Sequence, residues 1–372
     1  MHALVPLLFA LSLSAAPSLP LAVPFDLDSN QIFVRARING GEPRWFIVDT
    51  GASADVIDAG LVTRLGLKVE GSREGSGAGK GTVKISFVKG VTYDVGGATQ
   101  VVPSSYAIDL SGQPALLGRE VAGILGYDFF ARYVVEVDYD AQVLVLHEPA
   151  AFQPPAGAEP VKVTLEKQVP HVPVEVQIAG KPPVTQPVLV DSGSQDALDV
   201  DAMAQSPVKM EVVGGVGLGK EFRITVGRAE SMKLGRFVLR GPVGSGGGVP
   251  LIGNEILRRF HVAFDYSRQV MYLEPNRHLD DAFVVDASGL DLRYAQDRRG
   301  FDVHDVASAS PAAEAGIKTG DVLVAIDGRD GPELGGLEKI SRLLTRAGAT
   351  HRLTLRRGSQ TQDVQLKLRK RL

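Results

Sequence analysis

Two aspartates in matching surroundings are the residues of this chain best placed to do chemistry together. Asp49 sits in Phe46–Ser53, reading FIVDTGAS, where an apolar run carries a carboxylate into a tight Thr50–Gly51 turn. Asp191 lies 142 positions on, in Val188–Ser194, reading VLVDSGS, ahead of Ser192 and Gly193. Two halves that share a pattern pack about a pseudo-twofold axis, which would bring Asp49 and Asp191 face to face in one cleft. Two carboxylates in contact do not both ionise readily, so one proton is shared across the pair. Such a pair can hold a water, deprotonate it with one oxygen and protonate a carbonyl oxygen with another. Gly51 and Gly193 permit the tight turns, and Thr50 and Ser192 supply hydroxyls able to lock the two loops together.

The elements that must position these aspartates are β-strands, and they occur twice. Gln31–Ile38 alternates apolar and polar residues, Asn39-Gly40-Gly41 turns, and Trp45–Val48 delivers Asp49. Asp55–Leu67 reads as a short helix or turn. Val172–Ile178 alternates in its turn, Ala179-Gly180 reverses the chain, and Pro187–Val190 leads to Asp191. Further on, Gly123–Gly126 (GILG) matches Pro250–Gly253 (PLIG), and Val134–Pro149 matches His261–Pro275. Gly126 pairs with Gly253 and Asp138 with Asp265 at an offset of 127, so the first half carries extra length between its two markers. An internal duplication over residues 28–276 follows. Asp138 and Asp265 each lie beside a tyrosine in a hairpin and read as turn residues. The proline- and alanine-rich Ala150–Pro160 reads as the linker between the halves.

Each half also holds a glycine-rich tip, Glu74–Thr82 (EGSGAGKGT) and Gly214–Lys220 (GGVGLGK). The first nearly spells a phosphate-binding loop. Glu74 stands where glycine is required, Gly81 follows Lys80, and Thr82–Val88 continues as a strand rather than a helix. Both tips read instead as hairpins downstream of an aspartate, where a cleft cover belongs. Gly77, Ala78, Gly79, Gly217, Leu218 and Gly219 are the flap candidates.

Composition narrows the function classes. The chain has 372 residues, 44% of them apolar, and a formal net charge of −3, a balance that offers nothing to nucleic acid. The basic Arg369–Leu372 tail reads as solvated. The absence of cysteine excludes disulfides, thiolate metal sites and cysteine nucleophiles. His147, His171 and His261 lack ligand spacing, so neither metal nor cofactor is expected. No serine has a nucleophile-elbow context, which sets a serine hydrolase aside. Leu4–Ala16 is too short to span a bilayer comfortably and fits the core of an export signal within residues 1–22. Cleavage after Ser14, Ala16 or Ala22 would give a periplasmic or secreted protein, and an uncleaved segment would anchor it.

The motif of two apolar residues, Asp, Thr or Ser, and Gly, followed later by two apolar residues and Gly, resembles that of the pepsin and retroviral-protease superfamily of aspartic proteases. Its DTGAS and DSGS wording is closest to bacterial retropepsin-like proteins. The resemblance implies a mainly β, bilobal fold with lobes at 23–150 and 151–278. It implies Asp49 and Asp191 as the catalytic dyad, supported by Thr50, Gly51, Ser192 and Gly193. Ile124-Leu125-Gly126 and Leu251-Ile252-Gly253 would pack behind the loops. The chain departs from pepsin in lacking a tyrosine in the Gly75–Val83 tip, in having shorter lobes and in showing no long prosegment before the first strand.

Residues 282–372 differ in pattern. SPAAEAGIKTGD and VLVAIDG resemble a PDZ domain of the bacterial protease-associated type, which implies a small α+β fold. Leu290-Asp291-Leu292 stands where a carboxylate-binding loop belongs, with Asp291 in place of glycine. A peptide C-terminus would dock between Leu290–Tyr294 and the helix Leu337–Thr345 as an added strand. The implied activity is that of an aspartic endopeptidase acting on a polypeptide, with both aspartates supplied by one chain. A non-catalytic peptide-binding protein on the same scaffold is the alternative. Oligomeric state is left open.

Overall fold

A computed structural model describes residues 18–75, 81–214 and 222–372. It is built mostly of strands, arranged in sheets of 13, 10 and 6. The first spans both lobes, taking in Glu159–Lys162, Phe260–Asp265 and Val270–Pro275 of the second; the ten-stranded sheet lies within the second lobe, and the third belongs to the C-terminal domain. The alternating burial of Val169–Gln177 shows why these segments are strands, since Val172, Val174 and Val176 enter the core while Pro173 and Glu175 face out.

Among the described residues, the strands of the two lobes pair at one place, Val134–Asp138 antiparallel to Phe260–Asp265. Val137 pairs with Val262, Glu136 with Ala263, and Val135 with Phe264. At the 127-residue offset of the repeat, Ala263 is the counterpart of Glu136, and Val262 and Phe264 are those of Val135 and Val137. Glu136 therefore faces its own counterpart while Val135 and Val137 each face the counterpart of the other, and a pseudo-twofold axis passes between Glu136 and Ala263. A single apolar core runs through both lobes, including Phe130, Val135, Val190 and Phe264.

Strand topology repeats as well. In the first lobe Arg44–Val48 runs parallel to Gly123–Leu125, and Val56–Asp58 lies antiparallel to the latter. In the second, Val184–Val190 runs parallel to Leu251–Ile252, with Leu198–Asp199 antiparallel to it. The antiparallel arms Val69–Gly75 and Val83–Val95 match Lys209–Gly214 and Phe222–Arg228. No helix follows the near-phosphate-loop sequence, whose exit is the strand Val83–Val95.

Two boundaries differ from the sequence reading. The first strand is Leu21–Asp28, so it starts inside the 1–22 segment read as a leader. Leu21 and Ala22 pair with Leu146 and Val145, and cleavage after Ala22 would remove both pairs. The linker also ends sooner, because Glu159–Lys162 adds to Val270–Pro275. That strand lies at the sheet's edge, where Pro160 interrupts no ladder of a central strand. The rest of the leader reading, residues 1–17, lies outside the described residues.

The C-terminal domain has its own core, with Phe301, Val303, Leu323, Ile326, Ile340 and Leu353 among its members. Ser310 caps the short helix Pro311–Glu314 through the Ala313 N–H, and Leu337–Leu344 forms the longer one.

Candidate active site

Both aspartates are delivered by the same device. Phe46 and Val48 point into the main core while Ile47 points to the other face, so the strand is gripped from both sides. The Asp49 N–H donates to Leu125 O at 3.0 Å, and the Asp191 N–H donates to Ile252 O at 2.9 Å. Ile124-Leu125 and Leu251-Ile252 thus extend the parallel ladder to each aspartate. Asp49 Oδ1 accepts from the Gly51 N–H at 2.7 Å, and Asp191 Oδ1 from the Gly193 N–H at 2.9 Å.

The two loops then interlock. The Thr50 N–H donates to Ser192 Oγ and the Ser192 N–H to Thr50 Oγ1, both at 2.9 Å. Each hydroxyl also donates across the axis, Thr50 Oγ1 to Val190 O at 2.6 Å and Ser192 Oγ to Val48 O at 2.9 Å. Both side chains are buried. Gly51 and Gly193 are needed for close approach. A Cβ at Gly193 would stand 2.6 Å from both carboxylate oxygens of Asp49, and one at Gly51 would stand 2.8 Å from Asp191 Cγ.

The Asp49 and Asp191 carboxyls meet across the axis, each lying against the glycine of the opposite loop. Each residue keeps part of its surface open to the cleft, yet protein closely surrounds the carboxyl groups. That burial holds both above the ordinary carboxylate range. Asp191 is raised well above it, by burial first and then by the Asp49 charge. Asp49 is raised too, although N–H groups of Gly51, Ala52 and Gly193 favour its charged form. The arrangement suits one shared proton.

Several supporting residues were not singled out from sequence. Tyr139 Oη donates to Asn254 Oδ1 at 2.7 Å, and Asn254 Nδ2 donates to Ser192 O at 2.6 Å. Asn254 is fully buried, so this chain ties the central hairpin of one lobe to the aspartate loop of the other. Tyr266, the counterpart of Tyr139, instead packs its ring on Phe130 and Tyr127. Buried Asp55 accepts from the Gly126 N–H at 2.7 Å and from Gln100 Nε2 at 3.0 Å, fixing the turn after Leu125. Gln31 Nε2 donates to Gly193 O at 2.7 Å across the lobes. The recurring tyrosine beside Asp138 and Asp265 was the one available signal. The aspartates themselves serve the hairpin turns, with Asp138 Oδ1 accepting from the Ala141 N–H at 2.8 Å and Asp265 pairing with Arg268.

On the Asp49 side a second apolar cluster gathers Phe33, Ile47, Ile85, Leu117 and Ile124. Arg119 lies over the Phe33 and Trp45 rings at 4.4 and 4.9 Å and pairs with Asp26 and Asp28. The flap candidates Gly77, Ala78, Gly79, Gly217, Leu218 and Gly219 lie outside the described residues, although the arms that would carry them are present.

In the C-terminal domain, Leu290–Tyr294 is the edge strand of its sheet. Leu290, Leu292 and Tyr294 pack on the domain core together with Leu337. Asp291 lies 3.7 Å from Arg293, so its charge is met within the strand.

With this geometry established, comparison with known families identifies the class. Residues 34–129 match the aspartyl protease family and residues 285–368 match the PDZ domain family. This chain therefore joins an aspartyl protease-like domain to a C-terminal PDZ domain. The first match contains Asp49; Asp191 lies beyond it, in the lobe that repeats the first lobe's topology. No curated protein matches the chain.

Proposed function

We propose that this protein is an aspartic endopeptidase in which one chain supplies both catalytic residues, Asp49 and Asp191. The observation that carries this reading is the meeting of the two carboxyls, each against the other loop's turn glycine and held there by reciprocal Thr50–Ser192 bonds. A non-catalytic binder has no use for paired, buried carboxyls, which cost stability when ionised.

The chemistry follows from one proton shared by two carboxyls that burial raises together. One carboxyl keeps that proton while the other acts as base on a water held between them; with the proton on Asp191, Asp49 is the base. The water oxygen bonds to the peptide carbonyl carbon as its proton passes to Asp49. The Asp191 proton passes to the carbonyl oxygen. The resulting diol breaks its C–N bond as the nitrogen takes the proton from Asp49. A diol hydroxyl proton then returns to Asp191, leaving a free acid and a free amine. Thr50, Gly51, Ser192 and Gly193 position the pair.

The substrate is an extended polypeptide, and the PDZ domain is a peptide-docking module with Leu290, Asp291 and Leu292 at its groove. Leu4–Ala16 supports export to the periplasm or beyond, by cleavage or with that segment retained as an anchor. Among the described residues, no helix is long and apolar enough to cross a membrane.

The test is cleavage of an unfolded, labelled polypeptide from acidic to neutral pH. A bell-shaped profile on the acidic side is expected, since one carboxyl must be charged and the other protonated. No cleavage at any pH would reject the reading.

A further inference from the structure

The first lobe packs against the strand that borders the groove of the PDZ domain. Leu290–Tyr294 pairs with Phe301–Val306 along one edge only, and the other edge is where an extended peptide would add. The first-lobe helix Gln113–Leu117 packs against this strand. The helix ends at Gly118, whose φ of +66° is left-handed. A Cβ at Gly118 would stand 2.6 Å from Tyr294 Cε2, so the bare backbone rests on that ring. The Arg298 guanidinium donates to Gly118 O. Beneath the contact, Tyr294 Oη accepts from the Leu337 N–H at 3.2 Å. Tyr294 thereby bridges the groove from strand to helix, with the first lobe seated on top of it.

The covering segment also reaches the cleft. Leu116 and Leu117 belong to the apolar cluster that contains Ile47 and Ile124, the strand residues flanking Asp49. Arg119, the residue after Gly118, is held by Asp26 and Asp28. A second tie joins the arms of the other lobe, where Arg223 pairs with Asp305 of the PDZ strand Phe301–Val306 at 3.1 Å.

We propose that residues 113–118 close the PDZ groove in cis, so that a polypeptide engages Leu290–Tyr294 only when this segment lifts, and groove occupancy reshapes the Asp49 side of the cleft. The proposal rests on the PDZ assignment and on this contact. It does not depend on cleavage.

Amide hydrogen exchange on the full chain tests it. Gly118→Val forces a side chain into the Tyr294 ring from the first lobe, and Arg298→Ala removes the bond from the PDZ side. Both variants should speed exchange in Leu290–Tyr294 by about tenfold or more, with the PDZ core strand Thr350–Arg357 unchanged. Wild-type rates at Leu290–Tyr294 in both variants would overturn the proposal. Loss of protection through the whole domain in Gly118→Val, with wild-type rates in Arg298→Ala, would mean local misfolding and would overturn it too. As a second readout, a pool of fluorescein-labelled heptapeptides with free C-termini should bind both variants about tenfold more tightly than wild type. Equal or absent binding to the variants would contradict closure. Neither readout involves proteolysis, so this proposal and the endopeptidase reading fail separately.

Discussion

Thr50 and Ser192 exchange hydrogen bonds across the pseudo-twofold axis, each N–H donating to the other's hydroxyl at 2.9 Å. The relation is reciprocal because the residues are counterparts in a duplication, so one substitution on each side should have matching consequences. It also means that neither aspartate loop is fixed by its own lobe alone.

Thr50→Val keeps the shape but leaves the buried Ser192 N–H and Val190 O without partners. At about 1–3 kcal/mol per unsatisfied group, the loss should be roughly 2–6 kcal/mol. Ser192→Ala should cost a similar amount by stranding the Thr50 N–H and Val48 O, whereas Thr50→Ser should be nearly neutral. Chemical denaturation measures all three. Equal stability of Thr50→Val and wild type would show that the interlock contributes nothing.

Gly193→Ala and Gly51→Ala place a methyl against the opposite carboxylate, where the glycines leave no space. Both should lower kcat by about 100-fold or more, because an error of about 1 Å at reacting groups has that scale of effect. Steady-state kinetics on folded variants decides it, and a loss under tenfold in both would mean that the loops move aside freely.

The raised values of both carboxyls give stability a definite pH dependence. A group raised on folding contributes fully below the ordinary carboxylate range, and that contribution is lost as pH climbs through its raised value. Asp191→Asn removes the buried acid, so at neutral pH the variant should melt about 2–4 °C above wild type. At pH below the ordinary carboxylate range the gap should close. Calorimetry across pH checks this, and a variant destabilised equally at every pH would contradict the burial argument.

Tyr139→Phe removes the donor to Asn254 and leaves a buried amide oxygen unpaired, at a cost of about 1–3 kcal/mol. Since Asn254 holds Ser192 O, kcat should fall several-fold with KM little changed. An unchanged kcat would make Tyr139 purely structural.

The sequence carried the aspartate loops openly, because strand, turn glycine and hydroxyl lie within eight residues of one another. The duplication was legible for the same reason, and the self-matching register of Val134–Asp138 with Phe260–Asp265 follows from it. The Tyr139–Asn254–Ser192 chain was not, since its members come from separate elements brought together only by lobe packing. Glu159–Lys162 was hidden by proline composition, which an edge position tolerates. The partner of Asp291, which stands in a glycine's place, was not legible, because Arg293 is set opposite it by strand geometry and not by any motif. The seat of Gly118 on Tyr294 joins residues 176 positions apart in chains of no local pattern, and only folding reveals it.

The central claim is that Asp49 and Asp191 act as one catalytic pair. Its most direct test measures kcat/KM for an unfolded polypeptide with wild type, Asp49→Asn and Asp191→Asn, each verified as folded, at the acidic optimum. Wild type should cleave, each variant should lose about 1,000-fold or more, and mixing the two variants should restore nothing, because one chain supplies both residues. Activity within tenfold of wild type in either variant would contradict the dyad, and recovery on mixing would contradict its assembly within a single chain.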